Sequence, residues 1–130
     1  MKISKQTHLK KKDAHVCIDG FGGEKNAFFG VYDGHGGRGA VNYTQAHLHQ
    51  NFLESLKEKQ PTEAFVEAFT KTDKDMEAAN VGYSGTTVVT CFIKHTEEGK
   101  RILYTANAGD ARAVLSFVQK RKSLLFHFFF

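Results

Sequence analysis

Three consecutive residues, Asp33, Gly34 and His35, bring together an acid, a side-chain-free backbone unit and an imidazole. They follow an apolar run, Phe28-Phe29-Gly30-Val31-Tyr32, that reads as a buried strand broken at Asp33; Gly36 and Gly37 come next. A carboxylate at the mouth of a buried strand is costly unless something offsets its charge. A divalent ion is one such partner. Gly34 has no Cβ, so its carbonyl can turn toward the same ion. An imidazole exchanges protons near neutral pH. A carboxylate and a carbonyl as hard oxygen ligands, with an imidazole as acid, fit a metal-dependent hydrolytic site. The same residues are also an ordinary turn signal, since Asp-Gly favours turns and Gly-Gly lengthens them. Residue types and spacing leave both readings open.

The flanking sequence shows what would position these groups. Ala14 to Ile18 reads as a strand, residues 19–24 as a glycine-rich turn and Asn26 to Tyr32 as the return strand, a β-hairpin. From Gly37 the apolar period becomes helical: Val41, Leu48, Phe52 and Leu56 recur on one line to about Lys59. Pro61 suits the first turn of a second helix, with Phe65, Ala68, Phe69, Thr72 and Met76 on its inner face. Gly85 to Ile93 is rich in β-branched residues and reads as a strand. A turn at residues 96–100, a strand from Ile102 to Ala106, a second turn at residues 107–110 and a strand from Ala111 to Leu115 complete the pattern.

Strands, then helices, then strands is not a βαβ alternation, so antiparallel sheet with helices on a face is expected, an α+β fold. Its core should include Phe29, Val31, Val88, Phe92, Leu103 and Val114, with Phe52, Phe65 and Phe69 facing a sheet.

Composition narrows the function classes. With 130 residues, 41% hydrophobic and 25% charged, the chain suits one globular domain. The net charge of +4 sits at the ends. Five lysines fall in residues 1–12 and three bases at 120–122, leaving ten bases against 14 acids elsewhere. A basic domain face for nucleic acid is therefore not expected. Cys17 and Cys91 each lie in an apolar strand-like run and read as buried, reduced thiols of a cytoplasmic protein, with nuclear residence the second option. No apolar stretch follows the N-terminal lysines, so no signal peptide is expected. No run approaches the roughly 20 apolar residues of a membrane span.

The ten-residue string Phe28 to Gly37 resembles the signature of the metal-dependent type 2C protein serine/threonine phosphatases, the PPM family. Three further stretches in order are similar to that family: Asp13-Ala14-His15, Ser84-Gly85-Thr86-Thr87 and residues 106–115, Ala-Asn-Ala-Gly-Asp-Ala-Arg-Ala-Val-Leu. The resemblance runs over roughly residues 8–116. It implies an antiparallel β-sandwich with flanking helices, incomplete in this chain. It further implies Mg²⁺ or Mn²⁺, two ions per complete site, and a phosphoprotein substrate; it leaves the oligomeric state open. By the resemblance, Asp33 would bridge the ions, Gly34 would offer its carbonyl, and His35 would protonate the leaving serine or threonine oxygen. Asp13 and Asp110 match further metal-side acids, Asp110 serving equally well as a turn cap before the last strand.

The chain departs from the family pattern in three places. Lys12 stands where the family has Glu. The family's phosphate-binding arginine falls near His8, which becomes the candidate phosphate contact, with Lys10 or Lys11 as substitutes. The later aspartates of the metal site belong to a second half of the domain. The expected organisation is thus a basic segment at 1–12, the N-terminal half of a phosphatase domain at 13–116 and a divergent basic and apolar tail at 117–130, read as an aberrant end from splicing or gene modelling or, second, as an apolar anchor or partner segment. Two functions follow: Mg/Mn-dependent hydrolysis of phosphoserine and phosphothreonine by metal-activated water, or a truncated noncatalytic relative that binds a partner or phosphoprotein without turnover.

Overall fold

A computed structural model describes residues 12–117 and 124–129. Four strands form one antiparallel sheet in chain order: β1 (Ala14–Asp19), β2 (Ala27–His35), β3 (Gly85–His95) and β4 (Arg101–Ala108). Two helices, α1 (Gly39–Ser55) and α2 (Pro61–Ala78), separate β2 from β3. A two-stranded sheet, β5 (Arg112–Phe117) with β6 (Leu124–Phe129), follows. Antiparallel sheet with packed helices is the α+β class that the element order predicts. Among the described residues β1 and β4 each pair on one side only, the open edges expected of an incomplete sandwich. No helix among the described residues is long and apolar enough to cross a membrane.

Alternation along the strands assigns the two faces. Phe28 and Tyr32 of β2 pair with Phe92 and Val88 of β3, and all four side chains are buried in the helix-covered core. Both helices cover that face. Phe52 of α1 stacks on Phe65 of α2, ring centroids 3.9 Å apart, and meets Phe92 edge-on at 5.3 Å. Gly30 is dictated here, because a Cβ there would stand 2.3 Å from the Tyr32 hydroxyl. Pro61 occupies the first turn of α2, where its missing N–H costs nothing. Polar links add to the helix contact: Asn51 donates to the Thr72 hydroxyl at 2.9 Å.

The opposite face carries a smaller cluster, Phe29, Cys91 and Ile93, with Leu103 and Ala113 of β5 packed against it. Val31 is half-buried there and Phe69 half-buried on the helix side, but Val114 is 40% exposed and is not core. Ala113 is the residue of β5 that meets the four-stranded sheet, so its neighbour Val114 points outward. Cys17 is likewise exposed; it lies on β1, an edge strand whose outer face nothing described covers. Cys91, on a central strand, is buried as expected.

Two further boundaries differ from the periodicity. β2 runs on through Asp33, Gly34 and His35, because Thr87, Thr86 and Gly85 of β3 stand opposite and satisfy the backbone. Leu124–Phe129, which shows no alternation, pairs residue by residue with β5.

Candidate functional site

The Asp-Gly-His triplet occupies the last three pairs of the central strands, Asp33 with Thr87, Gly34 with Thr86 and His35 with Gly85. By alternation Asp33 and His35 share the face of Phe29, away from the helices, and Gly34 faces them. A Cβ on Gly34 would stand 2.3 Å from Val41 Cγ2 of α1 and 2.7 Å from the Lys12 carbonyl oxygen. Glycine is thus demanded by close packing from two sides, a different reason from the exposed carbonyl inferred from sequence. Gly36 and Gly37, with φ of +69° and +136°, then make the sharp exit into α1 that other residues resist.

Three acids lie on strand ends and a turn at this end of the sheet. Ala14 pairs with Tyr32, so Asp13 and Asp33 stand at the same end of neighbouring strands, each half-buried. Asp110 lies in the exposed turn before β5. That turn rests on Thr87, the partner of Asp33, since a Cβ on Gly109 would lie 3.0 Å from Thr87 Cγ2. Thr86 supports the strand end from the other side: its hydroxyl lies 2.8 Å from the Thr87 carbonyl oxygen and 3.3 Å from that of Asp33. Lys12 is exposed beside this group, and His8 lies outside the described residues.

The donors are of the hard-oxygen type that Mg²⁺ or Mn²⁺ takes. Among the described residues, however, no three His, Cys, Asp or Glu side chains converge closely enough to hold a metal ion. A two-ion centre needs more ligands than that, so these residues do not by themselves fit the pair of ions.

His35 is exposed, and the far end of its ring lies against Gly85: a Cβ there would stand 2.3 Å from Nε2. The residue type at 85 therefore sets the position of the imidazole. Other titratable groups in the core are unsuited to proton transfer. Burial, with a smaller contribution from Cys17, pushes the Tyr32 phenol well above its ordinary range. Burial pushes the Cys91 thiol up to about 12.

Ser84 lies in the loop before β3. In the structure its hydroxyl accepts from the Ala40 N–H at 2.9 Å and donates to the Val81 carbonyl at 3.1 Å. It caps the start of α1, a helix with no cap from its own N-cap residue. The loop before β3 is thereby tied to the turn after His35. Between this loop, the C-terminal half of α2 and His35 lies an open cleft of about 540 Å³.

The sequence profile of the protein phosphatase 2C family matches residues 3–126, reaching past Ser116, where the sequence resemblance ends, into the tail. Protein phosphatase 2C homolog 1 of Schizosaccharomyces pombe is 38% identical over 113 residues, covering 80% of this chain and 32% of that protein. Mouse protein phosphatase 1E is 35% identical over 122 residues, covering 85% and 16% respectively. The chain spans a third or less of the length of the curated relatives it matches. Two solved structures share the fold: a Caenorhabditis elegans sex-determining protein, with TM-score 0.68 and 22% identity over 84% of this chain and 29% of that one, and a Toxoplasma gondii serine-threonine phosphatase 2C, with TM-score 0.58 and 18% identity over 89% and 48%.

Proposed function

The chain belongs to the protein phosphatase 2C family, and from that membership we propose that it carries the N-terminal portion of a Mg/Mn-dependent protein serine/threonine phosphatase centre. The observation that supports this reading is the placement of Asp13 and Asp33 at the same end of neighbouring strands, with the Asp110 turn resting on Thr87 and His35 two residues beyond Asp33. In this reading Asp33, Asp13 and the Gly34 carbonyl are oxygen donors toward the ions, Asp110 is a more distant acid, and His8 contacts the phosphate. When bound, such ions supply a water of lowered pKa and charge for the phosphoryl oxygens. The chain's own residues orient and neutralise: Thr86 and Thr87 hold the Asp33 strand end, and Gly85 seats the imidazole that hands a proton to the leaving serine or threonine oxygen.

A second reading has its own support. Lys12, a cation where the family has Glu, beside described acids that do not group in threes, favours a chain that binds a phosphoprotein without turning it over. Both readings predict the same result for these 130 residues alone, and the longer relatives' activity does not transfer to them.

The test is hydrolysis of p-nitrophenyl phosphate in millimolar Mn²⁺ by the wild-type chain and by Asp33→Asn. The expected outcome is no turnover above the metal blank for either. Metal-dependent hydrolysis by the wild type that disappears in Asp33→Asn would show that the 130 residues already make a complete centre.

A further inference from the structure

The two open edges of the four-stranded sheet are not alike. Among the described residues β1 pairs with β2 and with nothing on its other side. An open strand edge is a template for another strand, and proteins blunt such edges with lysine, proline or a bulge. β1, Ala-His-Val-Cys-Ile-Asp, contains no lysine or proline and pairs with β2 without a bulge from Ala14 to Asp19. Its residues alternate strictly: His15, Cys17 and Asp19 are exposed, and Val16 and Ile18 are half-buried against the helix-covered core.

Hydrogen bonds show which backbone groups point outward. At the hairpin end Gly20 donates to the Asn26 carbonyl at 2.9 Å. Alternation along an antiparallel pair then turns the backbone groups of Ile18, Val16 and Ala14 toward β2, and those of Asp19, Cys17 and His15 toward the edge. Gln45 of α1 agrees with this phase, since its side-chain amide reaches the His15 carbonyl and donates to it at 3.0 Å. A carbonyl has two lone pairs, so that contact does not close the edge.

β1 is complementary to itself in one register. Two copies meeting antiparallel by their outward groups set His15, Cys17 and Asp19 of one against the same residues of the other. The register centred on Cys17 places His15 opposite Asp19, twice by symmetry. Centring on His15 or on Asp19 opposes that residue to its own kind, and the registers between them set Asp13 against Asp19 or Cys17 against Asp19. About Cys17, an imidazole N–H meets a carboxylate on one face. On the other face Val16 meets Ile18, a β-branched pair that continues the core. β4, the other open edge, has Arg101 as its one charged residue and no acid to set against it.

We propose that β1 is a self-association surface: two copies of this chain pair β1 with β1, antiparallel about Cys17, and join their four-stranded sheets into one. The inference does not depend on the phosphatase reading.

The experiment is sedimentation velocity of the full chain under reducing conditions over a concentration series. The wild type is expected to pass from monomer to dimer as concentration rises. His15→Glu opposes two acids at each end of the shared ladder and should weaken the dimer about tenfold. Adding Asp19→Lys to His15→Glu sets opposite charges together again and should recover the association. Thr105→Lys, at an exposed position on β4, should leave it unchanged. All three positions are exposed, and an unchanged thermal melt confirms that each variant folds.

A second readout locates Cys17. Copper-phenanthroline oxidation moves two electrons and two protons from a pair of thiols to dioxygen, and opposed strand residues with Cα atoms about 5.5 Å apart lie within disulfide reach. At dimer-forming concentration the wild type should cross-link, Cys17→Ser should not, and His15→Glu should do so far more slowly. A chain that stays monomeric at every soluble concentration overturns the proposal. So does a dimer that His15→Glu leaves intact, one that the double substitution fails to recover, or one that Thr105→Lys dissociates.

Discussion

The two faces of the four-stranded sheet are built to different standards. The helix-covered face holds twelve buried residues, with Phe21, Phe28, Phe52, Phe65 and Phe92 in ring contact. Among the described residues the other face holds fewer, Phe29, Val89, Cys91 and Ile93, with β5 packed over part of it. Stability therefore comes from the helix side. The candidate chemistry, Asp33 and His35, sits on the thinner side, where charged groups keep access to solvent. A single strand serves both by alternation: β2 turns Phe28 and Tyr32 to the helices, and Phe29 and Asp33 the other way.

Truncating one ring on each face puts this contrast under the greatest strain. Phe52→Ala should cost about 3–5 kcal/mol, because its stacked neighbours cannot collapse into the void. Phe29→Ala should cost about 2 kcal/mol, close to the transfer contribution alone, since a loosely covered face relaxes. Urea titration followed by circular dichroism measures both. Equal costs would mean that the second face is as tightly closed as the first.

Two glycine substitutions separate packing from positioning at the motif itself. Gly34→Ala drives a methyl into the Lys12 carbonyl and Val41, and should cost about 1–3 kcal/mol. Gly85→Ala meets only the far end of the exposed His35 ring, so stability should change by less than about 0.5 kcal/mol. The imidazole must move, however, and its NMR resonances should shift. A stable Gly34→Ala would remove the packing reason for that glycine.

The smallest effect concerns the thiols. Cys17, exposed on the edge strand, should react with Ellman's reagent in the native state. Cys91 should label only on unfolding, being buried and with its thiol pushed up to about 12. Two equally reactive cysteines in the native chain would contradict the central position of β3.

Much of the fold is written in local pattern. The β-hairpin, the helical spacing of Val41, Leu48 and Phe52, the Pro61 start of α2 and the β-branched run of β3 each depend on neighbours within a few residues, and each element forms where its pattern lies. What local pattern misses depends on partners distant in sequence. Val114 and Cys17 are apolar residues in strands, but which strand covers them is a matter of topology. Leu124–Phe129 has no alternation, and its strand character comes from lying against β5. The site divides in the same way. Asp33 and His35 are visible as a motif. The packing role of Gly34, the seat that Gly85 provides for His35 and the capping of α1 by Ser84 all require contacts between residues far apart in the chain.

Asp33, on this reading, marks an ion site that the described residues begin and do not complete. Calorimetric titration of Mn²⁺ into the wild-type chain, Asp33→Asn and Lys12→Glu tests that directly. The wild type should bind at millimolar concentration or more weakly, and Asp33→Asn should lose the binding. Lys12→Glu should bind about tenfold more tightly, because a two-unit charge change beside the carboxylates, softened by water, is worth roughly 1–2 kcal/mol. Micromolar Mn²⁺ binding by the wild type that Asp33→Asn leaves unchanged would mean that the ion sits elsewhere and that Asp33 marks no site.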